Sequence, residues 1–388
     1  MSRIRRLKRI SGRTQLVLKL LLSASTLLGC LVVLEIALRC YYSMGQSATE
    51  EVPYGVLVDS PVVYRPNPAR PDIGPQGLRD DAVAIPKPDD VCRILVLGDS
   101  VTFGFGVQRD QAFAHRLEVL FRDQGRKVEV LNAGVNGYST YNELAFYEHH
   151  GREFDPDLVL VAFCLNDVVN PRLHWSTVDV TVHDVPAGAI PNAEYDRLHV
   201  EPILQARTRR ARQDRWVAWS RLAKVGTHRI RTLAGTSGRE HYPPCDGKPA
   251  NGAQWLTHLT AEDSISIEVL MDDSSPEWQW LTSTYRKLSE AVAEDGAKFA
   301  VALFPLAYQL DERYPLIPQR RLQQHFDDQG IPCIDLLASL RRHRQSDTFL
   351  LDTDKHYDVW HLTPDGHQVA AEQLEKFLVK QGALESEP

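Results

Sequence analysis

Short apolar segments alternate with amphipathic ones over most of this chain. Five segments are brief, apolar and rich in β-branched residues, as buried strands are: residues 93–97, 128–131, 158–162, 299–303 and 333–335. Five others have apolar residues at helical spacing: residues 113–121, 140–150, 278–294, 319–326 and 364–379. Strands and helices in this alternation predict an α/β fold, with a mainly parallel sheet covered by helices on both faces.

A longer apolar run occupies residues 20–38. Seven basic residues precede it: Arg3, Arg5, Arg6, Lys8, Arg9, Arg13 and Lys19. About 20 apolar residues span a bilayer, and flanking Lys and Arg stay on the cytoplasmic side. We therefore predict a cytoplasmic segment (1–19), a transmembrane anchor (20–38) in the inner or plasma membrane, and a periplasmic or extracellular remainder.

Two alternatives for this run are a cleaved signal peptide and a lipoprotein signal ending at Cys30. Cleavage before Cys30 would leave residues 31–38 as an apolar mature end, and no small-residue cleavage site closes the run. The uncleaved anchor is the favoured interpretation.

The rest of the chain divides by composition. Residues 41–90 are rich in Pro and Asp, which predicts an extended stalk packed on a domain. Residues 91–170 and 276–382 carry the strand and helix pattern of the predicted domain. The interval 171–275 is too long for a loop, so we predict an inserted subdomain or lid. A substrate-binding role and a merely solvent-exposed insertion both remain open for it.

Charge and cysteine content exclude several classes of function. The 388 residues include 44 Lys and Arg against 51 Asp and Glu, a net charge of −7, which argues against nucleic-acid binding. The cysteines have no metal-ligand spacing, and Cys92, Cys164 and Cys333 are interpreted as small buried thiols. Without a His/Cys cluster, a phosphate loop or a dinucleotide fingerprint, no metal or cofactor is expected.

Three polar motifs follow the first three predicted strands. Gly98-Asp99-Ser100 comes after the first, residues 132–137 (Asn-Ala-Gly-Val-Asn-Gly) after the second, and Asn166-Asp167 after the third. Because carboxyl ends of parallel strands share one sheet edge, these motifs should meet there. A serine hydroxyl beside backbone N–H groups and a side-chain amide provides a nucleophile and an oxyanion hole.

A fourth motif precedes the last helix. Asp358 and His361 are three residues apart, and Thr363-Pro364 supplies an N-cap and a first helical residue. In a loop, such a pair can fold back so that the carboxylate orients the imidazole, whose other nitrogen faces a nucleophile. Each motif alone has a structural explanation, whereas the four together predict a serine hydrolase.

In order and spacing, the four motifs resemble the sequence blocks of the SGNH (GDSL-type) hydrolase superfamily, in its membrane-anchored bacterial form. The resemblance covers residues 93–169 and 299–379, and it implies a three-layer α/β/α flavodoxin-like domain. It assigns the nucleophile to Ser100, the base to His361 and the orienting carboxylate to Asp358. The implied oxyanion hole consists of the N–H groups of Ser100 and Gly137 with the Asn166 side chain.

One departure from the family is that Leu165 stands before Asn166, where the family usually has Gly. We therefore expect a bulkier, more apolar floor of the site. The expected activity is serine-dependent hydrolysis of O-acyl esters, such as O-acetyl esters of a glycan. An O-acyltransferase acting on cell-surface polysaccharide and a non-catalytic glycan-binding protein are the alternatives.

Overall fold

The computed structural model describes residues 12–45, 54–57, 62, 64–168, 220, 276–310, 317–343, 349–351 and 357–384. The chain divides into two compact units. One comprises Met1–Glu51 and Ala206–Arg239, and the other comprises Val52–Gln205 and Glu240–Pro388. Apart from Ser220, the predicted insertion 171–275 lies outside the described residues.

In the first unit, the described residues are Ser220 and those of one long helix, α1 (Gly12–Gly45). Its segment Gln15–Cys40 is 26 residues long and, among the described helices, meets the length and apolarity needed to cross a membrane. At 1.5 Å per residue it extends about 39 Å, more than the hydrocarbon core of about 30 Å. Near its C-terminal end, Glu35 accepts hydrogen bonds from Arg39 (2.7 Å) and Ser220 (2.9 Å).

The second unit begins with a two-stranded antiparallel hairpin, β1 (Gly55–Leu57) and β2 (Tyr64–Pro66). This hairpin lies in the segment that the composition predicts as a stalk. Tyr64 and Leu78 of the segment are buried in the core of the unit. The described part of residues 54–91 is therefore packed on the domain.

A five-stranded parallel sheet forms the centre of this unit. Its strands are β3 (Cys92–Gly98), β4 (Val128–Gly134), β5 (Leu158–Cys164), β6 (Lys298–Phe304) and β7 (Cys333–Asp335). They lie in the order β4-β3-β5-β6-β7. In this doubly wound flavodoxin-like order, the strand order reverses between β3 and β5, and such sheets bind their ligands at this point.

Helices cover both faces of the sheet. They are α2 (Ser100–Phe103), α3 (Phe113–Asp123), α4 (Thr140–His149), α5 (Pro276–Glu294), α6 (Ile317–Asp328), α7 (Leu337–Leu340) and α8 (Pro364–Lys380). A second antiparallel pair, β8 (Phe349–Leu351) and β9 (Tyr357–Leu362), precedes α8.

Side-chain alternation along β3 creates two cores. Leu95 and Leu97 pack in one core with residues of α4, α5 and α6, whereas Ile94 and Val96 pack in the other with residues of α3, α7 and α8. Residues on both strand faces are therefore apolar, as the continuous apolar runs require. The predicted three-layer α/β/α fold is confirmed, and each predicted strand and helix is present with ends shifted by a few residues.

Candidate active site

Ser100 is the first residue of the short helix α2, directly after β3 ends. Asp99 caps this helix, since its Oδ1 accepts the Val101 N–H at 2.8 Å. Gly98, with φ +153°, makes the turn possible: a Cβ there would lie 2.2 Å from Thr102 Oγ1. The turn thus presents the Ser100 hydroxyl at the carboxyl edge of the sheet.

The imidazole of His361 lies against this hydroxyl. His361 Nε2 and Ser100 Oγ are 2.8 Å apart, within hydrogen-bond distance, although the residues are 261 positions apart in the chain. Ser100 Oγ is also 3.3 Å from Asp99 Oδ2. Both Ser100 and His361 are half-buried, so the pair is accessible from solvent. A base within this distance can take the serine proton during attack on a carbonyl.

The loops predicted to form the oxyanion hole start at the same edge. The strand register places Gly98 beside Gly134 of β4 and Ala162 of β5. Gly137 follows β4 with φ +78°, a conformation that glycine adopts without strain. Among the described residues, the N–H groups of Ser100 and Gly137 have no acceptor. Both remain available to a ligand.

Two predicted site residues are described only by their backbone. Asn166 lies in a short 3-10 turn, Leu165–Val168, after β5. Asp358 lies in β9, three residues before His361. Their side chains lie outside the described atoms, so the predicted amide donor and orienting carboxylate stay predictions.

The expectation that Asp358 and His361 lie in a loop is wrong. The stretch is strand β9, which pairs antiparallel with β8 through Phe349 and Leu362. The sequence analysis did not predict β8, the partner of β9, because a segment of only three residues is too short to show a strand pattern. Because β9 pairs with β8, His361 lies in a paired strand and not in a free loop.

Arg79 is a site residue that the sequence reasoning missed. Its side chain is 5% exposed. Its guanidinium donates to the Phe103 carbonyl, to the Gly104 carbonyl at 2.7 Å and to the Val107 carbonyl at 2.8 Å. Its backbone N–H donates to the carbonyl of Asn132 at 3.1 Å. Arg79 therefore connects the loop after α2 to β4. It lies in the Pro-rich segment, where no motif distinguishes it from other arginines.

His367 is the other described histidine close to the start of α8, and it is buried. Its Nδ1 accepts the N–H of Phe113 at 3.3 Å, and its ring stacks on that of Phe113. Burial lowers the pKa of His367 to about 3, so its imidazole is neutral at physiological pH. His367 therefore joins α8 to α3, whereas His361 faces Ser100.

Three carboxyl groups are buried near the site: Asp99, Glu143 and Asp167. Asp167 Oδ2 accepts the Cys164 N–H at 2.7 Å, and Tyr285 donates to Glu143 Oε2 at 3.3 Å. Glu143 Oε1 and Asp167 Oδ1 have no partner among the described residues. Burial, followed by the charge of Asp99, raises the pKa of Glu143 to about 8 and that of Asp167 well above its ordinary value.

The raised pKa of Glu143 predicts pH-dependent stability. The folded protein keeps a proton on Glu143 that the unfolded chain releases above its ordinary pKa of 4.5. The free energy of unfolding should therefore fall as pH rises from about 4.5 to 8, by up to roughly 1.4 kcal/mol per pH unit. Glu143→Gln should flatten this dependence and raise stability at pH 8.

The measurement is the urea midpoint of the full chain in detergent at pH 5, 6.5 and 8. Glu148→Gln is the matched control, because Glu148 is exposed on the same helix and should leave the profile unchanged. A Glu143→Gln profile as steep as that of the wild type would contradict the expected protonation.

A profile of the GDSL-like Lipase/Acylhydrolase family matches residues 96–313. An arylesterase from Vibrio mimicus is 32% identical over 75 residues, 19% of this chain. The chain spans 38% of the length of that curated relative.

Two solved structures are similar at low identity. One is a catalytic mutant of an acetylxylan esterase from Geobacillus stearothermophilus, with 12% identity and a TM-score of 0.38, covering 74% of this chain and 93% of that one. The other is esterase EstA from Pseudoalteromonas sp., with 11% identity and a TM-score of 0.36, covering 76% of this chain and 98% of that one.

Proposed function

Because this chain belongs to the GDSL-like lipase/acylhydrolase family, we propose that it is a serine-dependent ester hydrolase with Ser100 as nucleophile and His361 as base. The observation that carries the proposal is the 2.8 Å contact between His361 Nε2 and Ser100 Oγ. A hydroxyl is a weak nucleophile at neutral pH, and a neighbouring base activates it by accepting its proton.

The proposed reaction has two steps. His361 Nε2 takes the proton of Ser100 as Oγ attacks the ester carbonyl, and the imidazolium then returns that proton to the departing alcohol oxygen. In the second step His361 takes a proton from water as the water attacks the acyl-serine, and the imidazolium then gives this proton to Ser100 Oγ as the bond to the acyl carbon breaks, which releases the carboxylic acid and free Ser100. Asp358 is proposed to orient the imidazole through its other ring nitrogen.

Each step passes through a tetrahedral intermediate that carries a negative oxygen. The proposed donors to this oxygen are the N–H groups of Ser100 and Gly137, together with the Asn166 side chain. Their support is that the two N–H groups lack acceptors among the described residues and that all three residues follow adjacent parallel strands. Donors held in place before the reaction stabilise the developing charge without reorganising.

The proposed location follows from α1. A helix with 26 residues of membrane-spanning character, preceded by basic residues, suits a single-pass anchor with a cytoplasmic N-terminus. The catalytic domain would then lie outside the membrane. Acylated glycans of the cell surface are accessible there, and their O-acyl (O-acetyl) esters are the substrates that we propose.

The proposal is tested with a fluorophosphonate probe and phenyl acetate, using the full chain in detergent. We expect the probe to label Ser100, identified by peptide mass spectrometry, and the labelled protein to lose its esterase activity. Labelling without hydrolysis would indicate a transferase that requires an acceptor alcohol instead of a hydrolase. A folded protein that is neither labelled nor active would contradict the enzymatic function.

Asn166→Ala is expected to lower kcat for phenyl acetate by about a hundredfold to a thousandfold, since one oxyanion donor is removed. Labelling of Ser100 should persist, because the nucleophile and its base are unchanged. Gln124→Ala is the matched control: this amide follows α3 and bonds to Glu375, away from Ser100 in the fold. An Asn166→Ala variant with wild-type kcat would exclude Asn166 from the oxyanion hole.

A further inference from the structure

Phe105 is a large apolar residue that stays exposed beside the site. Its side chain is 47% exposed, whereas Phe103, two residues earlier, is 5% exposed. Its ring lies against the imidazole of His361, with 4.6 Å between ring centroids and 39° between their planes. One face of this aromatic ring thus touches the proposed base, and part of the ring faces solvent.

The backbone around Phe105 is fixed on several sides. Gly104 and Gly106 both have positive φ, +80° and +81°. The Phe105 N–H donates to the Ser100 carbonyl at 3.0 Å, and the Gly104 carbonyl accepts from Arg79 at 2.7 Å. A Cβ on Gly104 would lie 2.8 Å from that of Ala112, so the loop is closely packed. The backbone that carries the ring is therefore held in place.

The chemistry of ester cleavage determines which part of a substrate meets this ring. His361 Nε2 has to deliver a proton to the departing alcohol oxygen, so that oxygen comes within about 3 Å of Nε2. The alcohol part of the ester then extends past the imidazole, next to Phe105. The acyl part is attached to the other side of the carbonyl carbon and has no such constraint.

From these contacts we propose that Phe105 determines specificity for the alcohol part of the ester, by stacking against a ring that presents an apolar face. Aryl rings and pyranose rings share this chemistry. The inference rests on the proposed esterase function and goes beyond it, because it assigns selection of the leaving group to one residue. The acyl group would be selected elsewhere.

The test compares esters that differ in one half only. Phenyl acetate and ethyl acetate share the acyl group, whereas phenyl acetate and phenyl butyrate share the leaving group. With the full chain in detergent, Phe105→Ala should lower kcat/KM for phenyl acetate about fivefold to tenfold more than for ethyl acetate, mainly through a higher KM. The ratio of acetate to butyrate should stay unchanged.

Two further variants control for folding and for a purely structural role. Phe105→Tyr keeps the flat ring and should keep the wild-type ratio of phenyl to ethyl acetate. Phe105→Leu keeps apolar bulk without the ring, and should lose the preference even if Phe105→Ala does not fold. The same comparison of a pyranose acetate with ethyl acetate would show whether a sugar ring is stacked as an aryl ring is.

Other outcomes would overturn the inference. Equal losses on phenyl and ethyl acetate, through kcat, would mean that Phe105 only orients His361. A changed acetate-to-butyrate ratio would place the ring beside the acyl group. If the wild-type protein hydrolyses none of these esters, the proposed esterase function itself is overturned. If the wild-type protein hydrolyses them but Phe105→Ala does not change the preference, only the leaving-group assignment is overturned.

Discussion

Ser100→Ala is expected to lower kcat/KM for phenyl acetate about ten-thousandfold or more, because the proposed acyl intermediate forms on the hydroxyl that this change removes. The fold should be retained. The removed hydroxyl contacts only His361 Nε2 and Asp99 Oδ2 among the described atoms, and the cap of α2 is made by the Asp99 side chain. The measurement is the initial rate of hydrolysis, with fluorophosphonate labelling in parallel.

The matched control is Ser289→Ala. Ser289 lies on α5, where its hydroxyl donates to the Arg286 carbonyl at 2.9 Å and is exposed. This variant should keep full activity and full labelling. If Ser100→Ala retained a tenth of the wild-type rate, the nucleophile would have to be another residue.

Gly134→Ala is expected to lower the free energy of unfolding by about 3 kcal/mol and to reduce activity with it. A Cβ at this position would lie 2.2 Å from the backbone nitrogen of Phe103 and 2.6 Å from the backbone carbon of Thr102. These are backbone atoms of α2, so no side-chain rotation can relieve the overlap. Either α2 or the end of β4 must move, and Ser100 moves with α2.

Gly125→Ala separates packing from backbone strain. Gly125 has φ +76°, but a Cβ there would meet no atom within 4 Å. Its cost should therefore be that of the left-handed conformation alone, about 1 kcal/mol. Urea midpoints of both variants give the comparison, and a Gly134→Ala protein as stable as Gly125→Ala would mean that α2 and β4 do not pack closely.

The local sequence pattern was sufficient to predict the fold and part of the site. The five sheet strands are apolar on both faces because helices cover both faces, and this makes them recognisable as short apolar runs. The cap at Thr363, which accepts the Gly366 N–H at 3.1 Å, was equally readable, since capping depends on neighbouring residues.

Long-range contacts were not readable in this way. Arg79 becomes a site residue because its guanidinium bonds to a loop 24 to 28 positions further along the chain. Phe105 becomes one because its ring contacts the imidazole of His361. Strand β9 was missed because its partner β8 is three residues long. The raised pKa values of Glu143 and Asp167 were not predictable from sequence either, because they come from burial that no local motif encodes.

For this protein the sequence by itself determined the order of strands and helices, the long apolar helix near the N-terminus and the motif residues Ser100 and His361. Each depends on interactions between near neighbours or on a simple apolar pattern. The tertiary structure alone decided the 2.8 Å approach of His361 to Ser100, the Arg79 contacts that hold the nucleophile loop and the position of Phe105. Those features depend on where the sheet brings distant segments together, because packing, not local preference, sets their distances.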